Sequence, residues 1–141
     1  RLGVIGDLAG LPEHTREAIT YGMQKTQNND GLILNFALNY GGRDELVRAV
    51  QLLGSQIKKG EIQSEDINYQ SISACLYTRD IPDPDLLIRT SGEIRVSNFM
   101  LWQSAYTEFW FTDTYWPDFT GQHLEKAIED FQKRDRIFNT V

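Results

Sequence analysis

The chain has 141 residues, 40% of them hydrophobic, and a formal net charge of −6. That length allows one domain with a core of its own, and the acidic balance argues against non-specific nucleic-acid binding, which needs a basic surface. No run of about eighteen apolar residues suggests a transmembrane helix. The single cysteine, Cys75, excludes an internal disulfide and fits a reducing compartment, and with only two histidines a zinc site is not expected.

In chain order, Leu2-Gly3-Val4-Ile5 reads as a short strand entered directly from Arg1. A natural chain seldom begins inside its own sheet, so a fragment is expected. Asp7-Leu8-Ala9-Gly10 reads as a turn, and Pro12 suits the first turn of a helix. Leu11, Thr15, Ala18, Ile19, Gly22 and Met23 share one helical face, until Asn28-Asn29-Asp30-Gly31 stops the helix. Residues 32–38 form a second strand, apolar enough to be central. Asn39-Tyr40-Gly41-Gly42 follows, then a helix over 43–59 with Leu46, Val47, Val50, Leu53 and Ile57 as its inner face. Asp44 and Glu45 open it and Lys58-Lys59 closes it, as the helix dipole favours. The glycine pair alone is a tight turn that can also admit an anion to backbone amides.

Ser64 and Ser71 are placed to cap short helices reaching 69 and 76. Asp80-Ile81-Pro82-Asp83-Pro84 is a stiff connector into a third strand, 86–88, expected to be buried on both faces. Ser97 is expected to cap a short helix through 103, residues 107–111 to form the last strand, and residues 121–136 the final helix. The buried stripe of that helix would be Leu124, Ala127, Ile128, Phe131 and Phe138, with Glu125, Glu129 and Asp130 on a solvated face. This alternation predicts an α/β fold, a mostly parallel central sheet flanked by helices. So few strands would leave a sheet edge open or paired with another chain.

The chemistry concentrates after the third strand. Arg89, Thr90, Ser91, Gly92, Arg95 and Ser97 supply two guanidinium forks, three hydroxyls and a flexible backbone. Ligands of α/β sheets bind where strands end in such loops, and this set suits a phosphate or diphosphate. Equally, surface arginines pair with nearby acids, and Glu93 and Asp85 are at hand. Glu108 adjoins Phe109-Trp110-Phe111. A carboxylate among so much aromatic surface needs a partner, and a cation bridging it to a bound phosphate would be one.

Residues 85–119 resemble the signature region of the cis-prenyltransferases, the undecaprenyl diphosphate synthases in particular. The matching elements are Arg89-Thr90-Ser91-Gly92-Glu93, Arg95-Val96-Ser97-Asn98-Phe99, Leu101-Trp102-Gln103, Glu108 and Trp116-Pro117-Asp118-Phe119, with Asn39-Tyr40-Gly41-Gly42-Arg43 upstream. The resemblance implies that 1–141 is the C-terminal portion of a single domain whose N-terminal half is missing. It implies condensation of isopentenyl diphosphate with an allylic diphosphate such as farnesyl diphosphate, giving an undecaprenyl-type cis-polyprenyl diphosphate, the lipid carrier of cell-wall synthesis. By the same likeness Arg89, Arg95 and Ser97 would bind isopentenyl diphosphate and Glu108 would bind Mg²⁺. Asn39, Arg43 and Glu93 would position or bridge. A homodimer is implied, with the aromatic stretch 99–116 as its interface, in the cytoplasm with membrane contact through the lipid product.

The aspartate of a phosphate-cradling loop and the groove for the growing chain belong, by that likeness, to the N-terminal half, so these residues alone are expected to be inactive. Ile137-Phe138-Asn139 stands where relatives carry an arginine-aromatic-glycine tail. The alternative is a non-catalytic partner subunit of the same fold. Retention of Arg89, Arg95, Ser97 and Glu108 favours the enzyme. Elsewhere the expectations are plain: His14 and His123 exposed on helices, Cys75 a small buried apolar side chain, and Trp102, Trp110 and Trp116 in the core.

Overall fold

A computed structural model describes residues 1–135; the final helix ends at Gln132, short of the expected 136, and Phe138 of its stripe and the Ile137-Phe138-Asn139 tail lie outside the described residues. Two compact units divide the chain, one ending at Pro82 and the other beginning at Asp83.

The first unit contains β1 (Leu2–Ile5), α1 (Glu13–Thr26), β2 (Leu34–Ala37), α2 (Gly42–Lys58) and α3 (Tyr69–Ser73). β1 and β2 are parallel, with Leu2 opposite Leu34 and Ile5 opposite Ala37. A parallel pair needs a crossover, and α1 supplies it. The Thr26 hydroxyl closes the end of α1 onto the sheet: it accepts from the Leu2 N–H at 2.9 Å and donates to the Gly22 carbonyl at 2.9 Å. Leu11, Thr15, Ile19 and Gly22 turn inward as expected, whereas Ala18 and Met23 stay exposed.

Beyond the strand ends, the Asp7 N–H donates to the Asn39 carbonyl at 3.1 Å and the Asn39 amide returns a bond to the Asp7 carbonyl at 2.8 Å. The two loops approach so closely that a Cβ on Gly6, at φ +119°, would lie 2.0 Å from the Leu38 carbonyl oxygen. Gly6→Ala should therefore destabilise this unit by well over about 1 kcal/mol, measurable as a lowered midpoint in urea.

Two expectations for this unit are corrected. β2 is not central: Leu34 and Phe36 are each 46% exposed, because β1 is its only strand neighbour among the described residues. An apolar strand is buried only where something covers it. Nor does α2 turn its valines inward. Gly42, Glu45, Ala49 and Leu53 are buried, while Val47 and Val50 are 58% and 67% exposed. Polar contacts set this rotation. Both oxygens of buried Glu45 accept, one from the Tyr40 hydroxyl at 2.7 Å and the other from the Tyr77 N–H at 2.8 Å. Arg48 donates to the Cys75 carbonyl at 2.9 Å and stacks 4.6 Å from the Tyr77 ring centre. Burial raises the Tyr77 phenol above its ordinary range, against the opposing charge of Arg48. Cys75 is buried as expected.

The short helices also differ from expectation. Ser64–Asp66 makes only a 3₁₀ turn, and α3 is capped by Asn68, which exchanges hydrogen bonds with Ser71. Ser71 thus lies inside the helix that it was expected to start.

The second unit contains β3 (Leu86–Arg89), β4 (Glu108–Phe111) and α4 (Gly121–Gln132). β3 and β4 pair in parallel, Leu86 opposite Glu108 and Arg89 opposite Phe111. The fold is α/β with parallel strands; among the described residues each unit holds a two-stranded parallel sheet, where a single central sheet was expected. β3 runs one residue further than expected, and all four of its residues are half-buried, so it is not enclosed on both faces.

No helix follows Ser97. Ser97, Asn98 and Met100 have φ of 48°, 63° and 46°, and left-handed residues cannot propagate a right-handed helix. A 3₁₀ turn at Gln103–Tyr106 leads into β4. In α4, Ala127 is fully buried but Leu124 and Ile128 are 43% and 40% exposed, contrary to the expected stripe. Asp130 is not merely solvated: it accepts from the Trp110 indole N–H at 3.0 Å. His123 is half-buried, accepts from the Thr120 N–H at 3.0 Å and stacks on Phe119. Among the described residues no helix is long and apolar enough to cross a membrane.

Candidate functional site

The site is built at the carboxyl ends of β3 and β4. Past the last ladder pair the two chains remain joined: the Thr112 N–H donates to the Arg89 carbonyl, the Gly92 N–H to Thr112, and the Ser91 N–H to Thr114, at 3.0, 2.9 and 2.9 Å. Ser91 and Gly92 are consecutive left-handed residues, with φ of 68° and 69°. They reverse the chain sharply after Arg89. Glycine fits at 92 because a Cβ there would press on an Asp113 carboxylate oxygen at 3.1 Å.

The reversal folds residues 95–99 back over the end of β3. The result is a cavity of about 350 Å³ whose lining includes the polar Arg89, Thr90, Ser91 and Arg95 and the apolar Val96, Phe99 and Trp116. Trp116 is 71% exposed and belongs to this rim, not to the core as expected. Two guanidinium groups, two hydroxyl residues and apolar residues in one lining suit an anion attached to a hydrocarbon.

Arg95 is also ion-paired with Glu93, the two side chains being 61% and 37% exposed. An exposed pair of this kind contributes only about 0–1 kcal/mol, so a multiply charged anion can compete for the guanidinium. Ser97, two positions on, is exposed and outside the cavity lining. Asn39 holds the Asp7 loop, as described, and Arg43 is exposed at the start of α2. The structure thus brings Arg89 and Arg95 to one cavity and leaves Ser97 and Glu108 out of its lining.

Glu108 has the partner its surroundings demand, and it is a residue that sequence reasoning missed. Arg134, just beyond α4, donates to Glu108 Oε2 at 2.7 Å and to the Phe109 carbonyl at 2.9 Å from the same nitrogen. The signal existed in the sequence: Asp130 and Arg134 are four apart on one helical face, and Glu108 and Trp110 are two apart on one strand face. Nothing local, however, says that these faces meet.

Among the described residues no three His, Cys, Asp or Glu side chains converge as a metal cluster. Mg²⁺ commonly takes one or two carboxylates and completes its shell with phosphate oxygens and water. Glu108 is a lone carboxylate with one oxygen engaged by Arg134, and it stands opposite Leu86, at the other end of the strand pair from Arg89, so the described residues do not bring a metal-binding set to the arginine cavity.

Comparison with known proteins places these features in a family. A prenyltransferase family model described as "Putative undecaprenyl diphosphate synthase" matches residues 1–139. Isoprenyl transferases of Bacillus thuringiensis and Clostridium perfringens are 58% and 50% identical over 138 and 141 residues, 98% and 100% of this chain. The chain spans only 54% and 56% of their lengths. Among solved structures, lavandulyl diphosphate synthase from Lavandula x intermedia, in complex with dimethylallyl diphosphate, superposes with a TM-score of 0.96 at 37% identity, over 99% of this chain and 60% of that one. A probable undecaprenyl diphosphate synthase from Campylobacter jejuni gives 0.83 at 36% identity, over 99% and 63%. With nearly its whole length matched in sequence and in backbone, this chain belongs to the undecaprenyl diphosphate synthase family of prenyltransferases.

Proposed function

We propose that this chain carries the isopentenyl diphosphate site of a cis-prenyltransferase making undecaprenyl-type polyprenyl diphosphates. The observation that carries this reading is the shared cavity of Arg89 and Arg95 at the end of β3, with apolar residues also in its lining. A diphosphate bears about three negative charges near neutral pH, by analogy with phosphate ionisation. Two guanidinium forks match it in charge and geometry, and Val96, Phe99 and Trp116 offer a surface for the five-carbon chain. The lavender relative's complex with dimethylallyl diphosphate supports a prenyl diphosphate as the ligand class.

In the proposed reaction the alkene of isopentenyl diphosphate attacks the allylic carbon. A carbon–carbon bond forms, the allylic carbon–oxygen bond breaks, diphosphate leaves with the electron pair and a proton is lost. No protein nucleophile is needed. The task of Arg89 and Arg95 is to hold the incoming unit's diphosphate so that its alkene is oriented. Ser97 would join them on the bound diphosphate, with Glu93 and the Asn39–Arg43 segment in positioning roles. By the same family likeness Glu108 would be the residue that holds Mg²⁺; a metal there would need the rest of its shell from the diphosphate, from water or from the portion of the relatives that the chain does not span.

The allylic site and the groove for the product lie, on this reading, in the portion of the relatives that the chain does not span. Residues 1–141 alone are then inactive. A homodimer through the aromatic stretch 99–116, and a cytoplasmic location with membrane contact through the lipid product, belong to the same proposal. A non-catalytic partner subunit would keep the shape of the cavity without needing both arginines.

Calorimetric titration with isopentenyl diphosphate tests the reading: binding should be saturable and strengthened by Mg²⁺, and Glu108→Gln should remove the strengthening. An unchanged Mg²⁺ effect in Glu108→Gln would exclude Glu108 as the ligand, and absence of binding would exclude the site.

A further inference from the structure

Among the described residues, five that are not glycine hold a left-handed backbone: Asn39, Ser91, Ser97, Asn98 and Met100, with φ of 47°, 68°, 48°, 63° and 46°. That conformation crowds a Cβ, so glycine is the residue that fits it best. Asparagine is tolerated there, and the Asn39 amide also bonds the Asp7 carbonyl. Ser91 is different. It has the largest φ of the five, and it is the one of them that lines the cavity of Arg89 and Arg95. The fold itself uses only the backbone at this point. The Ser91 N–H donates to the Thr114 carbonyl and the Gly92 N–H to the Thr112 carbonyl, each at 2.9 Å. With both amides engaged, the reversal does not offer an anion the successive free N–H groups of a backbone nest. An anion in this cavity is met by side chains. Ser91 is half-buried, and its hydroxyl has no hydrogen-bond partner among the described residues.

We propose that Ser91 is a further diphosphate-binding residue: its hydroxyl donates to a diphosphate oxygen in the cavity it shares with Arg89, and serine stands in a conformation that suits glycine because glycine has no hydroxyl to offer. This rests on the reading of the cavity as the isopentenyl diphosphate site. Backbone strain of this kind persists at ligand sites, where the surrounding structure over-determines it; here the two bonds from 91 and 92 to the chain beyond β4 do so. A purely architectural role predicts the opposite. If position 91 were only a turn, glycine would serve it better and nothing would be lost with the hydroxyl.

Titration calorimetry with isopentenyl diphosphate, read beside thermal unfolding, decides the matter with two replacements. Ser91→Ala removes the hydroxyl and keeps the Cβ; Ser91→Gly removes both. Each should weaken binding about tenfold, the effect of one hydrogen bond to a charged group. Only Ser91→Gly should raise the unfolding midpoint, by about 2–4 °C, while Ser91→Ala stays near the parent value. The loss in Ser91→Ala should persist at high salt, because a hydroxyl carries no charge, whereas the loss in Arg89→Ala should shrink. Parent affinity in Ser91→Ala overturns the inference, even if Ser91→Gly binds weakly, since the hydroxyl would then contribute nothing. A midpoint in Ser91→Gly no higher than the parent's overturns it also, by showing that serine is not strained there. Arg89→Ala separates the two levels. If it leaves affinity unchanged, the reading of the cavity fails; if it weakens binding while Ser91→Ala does not, only the role of Ser91 fails.

Discussion

Arg89→Ala should weaken isopentenyl diphosphate binding about ten- to a hundredfold while leaving the thermal unfolding midpoint nearly unchanged. Each hydrogen bond from a guanidinium to an anion contributes about 1.5–3 kcal/mol, and about 1.4 kcal/mol is a factor of ten in affinity. Arg89 is the last residue of β3, held by the Thr112 N–H on its carbonyl, so its side chain leaves a fixed backbone. Little reorganisation entropy is then spent on binding. Arg95 is more exposed and shares its charge with Glu93, so Arg95→Ala should lose less. Titration calorimetry at two salt concentrations checks both points, because the lost component should be the salt-sensitive one. If the Arg89→Ala affinity equals that of the parent, the cavity is not the diphosphate site.

The second large effect concerns stability. Glu45→Ala should destabilise the protein by about 3 kcal/mol or more, since two hydrogen bonds to a buried charge are lost and the Tyr77 N–H is left without its acceptor. Glu45 is 1% exposed, and its oxygens serve the loop before α2 and the segment after α3 at once. Glu45→Gln keeps one good acceptor and the shape of the side chain, so its loss should be smaller. Val50→Ala, on the exposed face of the same helix, should change stability by less than about 0.5 kcal/mol. Urea denaturation of the three variants gives the comparison; an alanine variant as stable as Val50→Ala would show that the carboxylate holds nothing in place.

These residues also mark what could be read without coordinates. All four strands were legible because each is a short apolar run ended by glycine, proline or polar residues, and the helices α1, α2 and α4 because their periodicity spans several turns. The rotation of α2 was not legible. Counting hydrophobic residues favours Val47 and Val50 as the inner face, but a glutamate with two donors waiting for it outweighs two valines. Ser97 was misread as a helix cap because a serine in a turn and a serine before a helix look alike. The left-handed φ values of Ser97, Asn98 and Met100 come from the chain folding back onto β3, which no local rule contains. The two arginines of the cavity were legible as chemistry; that they face one space was not.

What the amino-acid order determined by itself was the list of parts: a strand ending in an arginine, a glycine-containing reversal, a second arginine six residues on, and an acid beside aromatic residues. These follow from local sterics and from the charge each side chain carries wherever it is placed. Tertiary structure alone decided the pairings. Arg134 reaches Glu108 across 26 residues and Tyr77 reaches Glu45 across 32. Such contacts form only after the packing of helix on strand has met the entropy of closing long loops, and that packing is a property of the whole chain, not of any stretch within it.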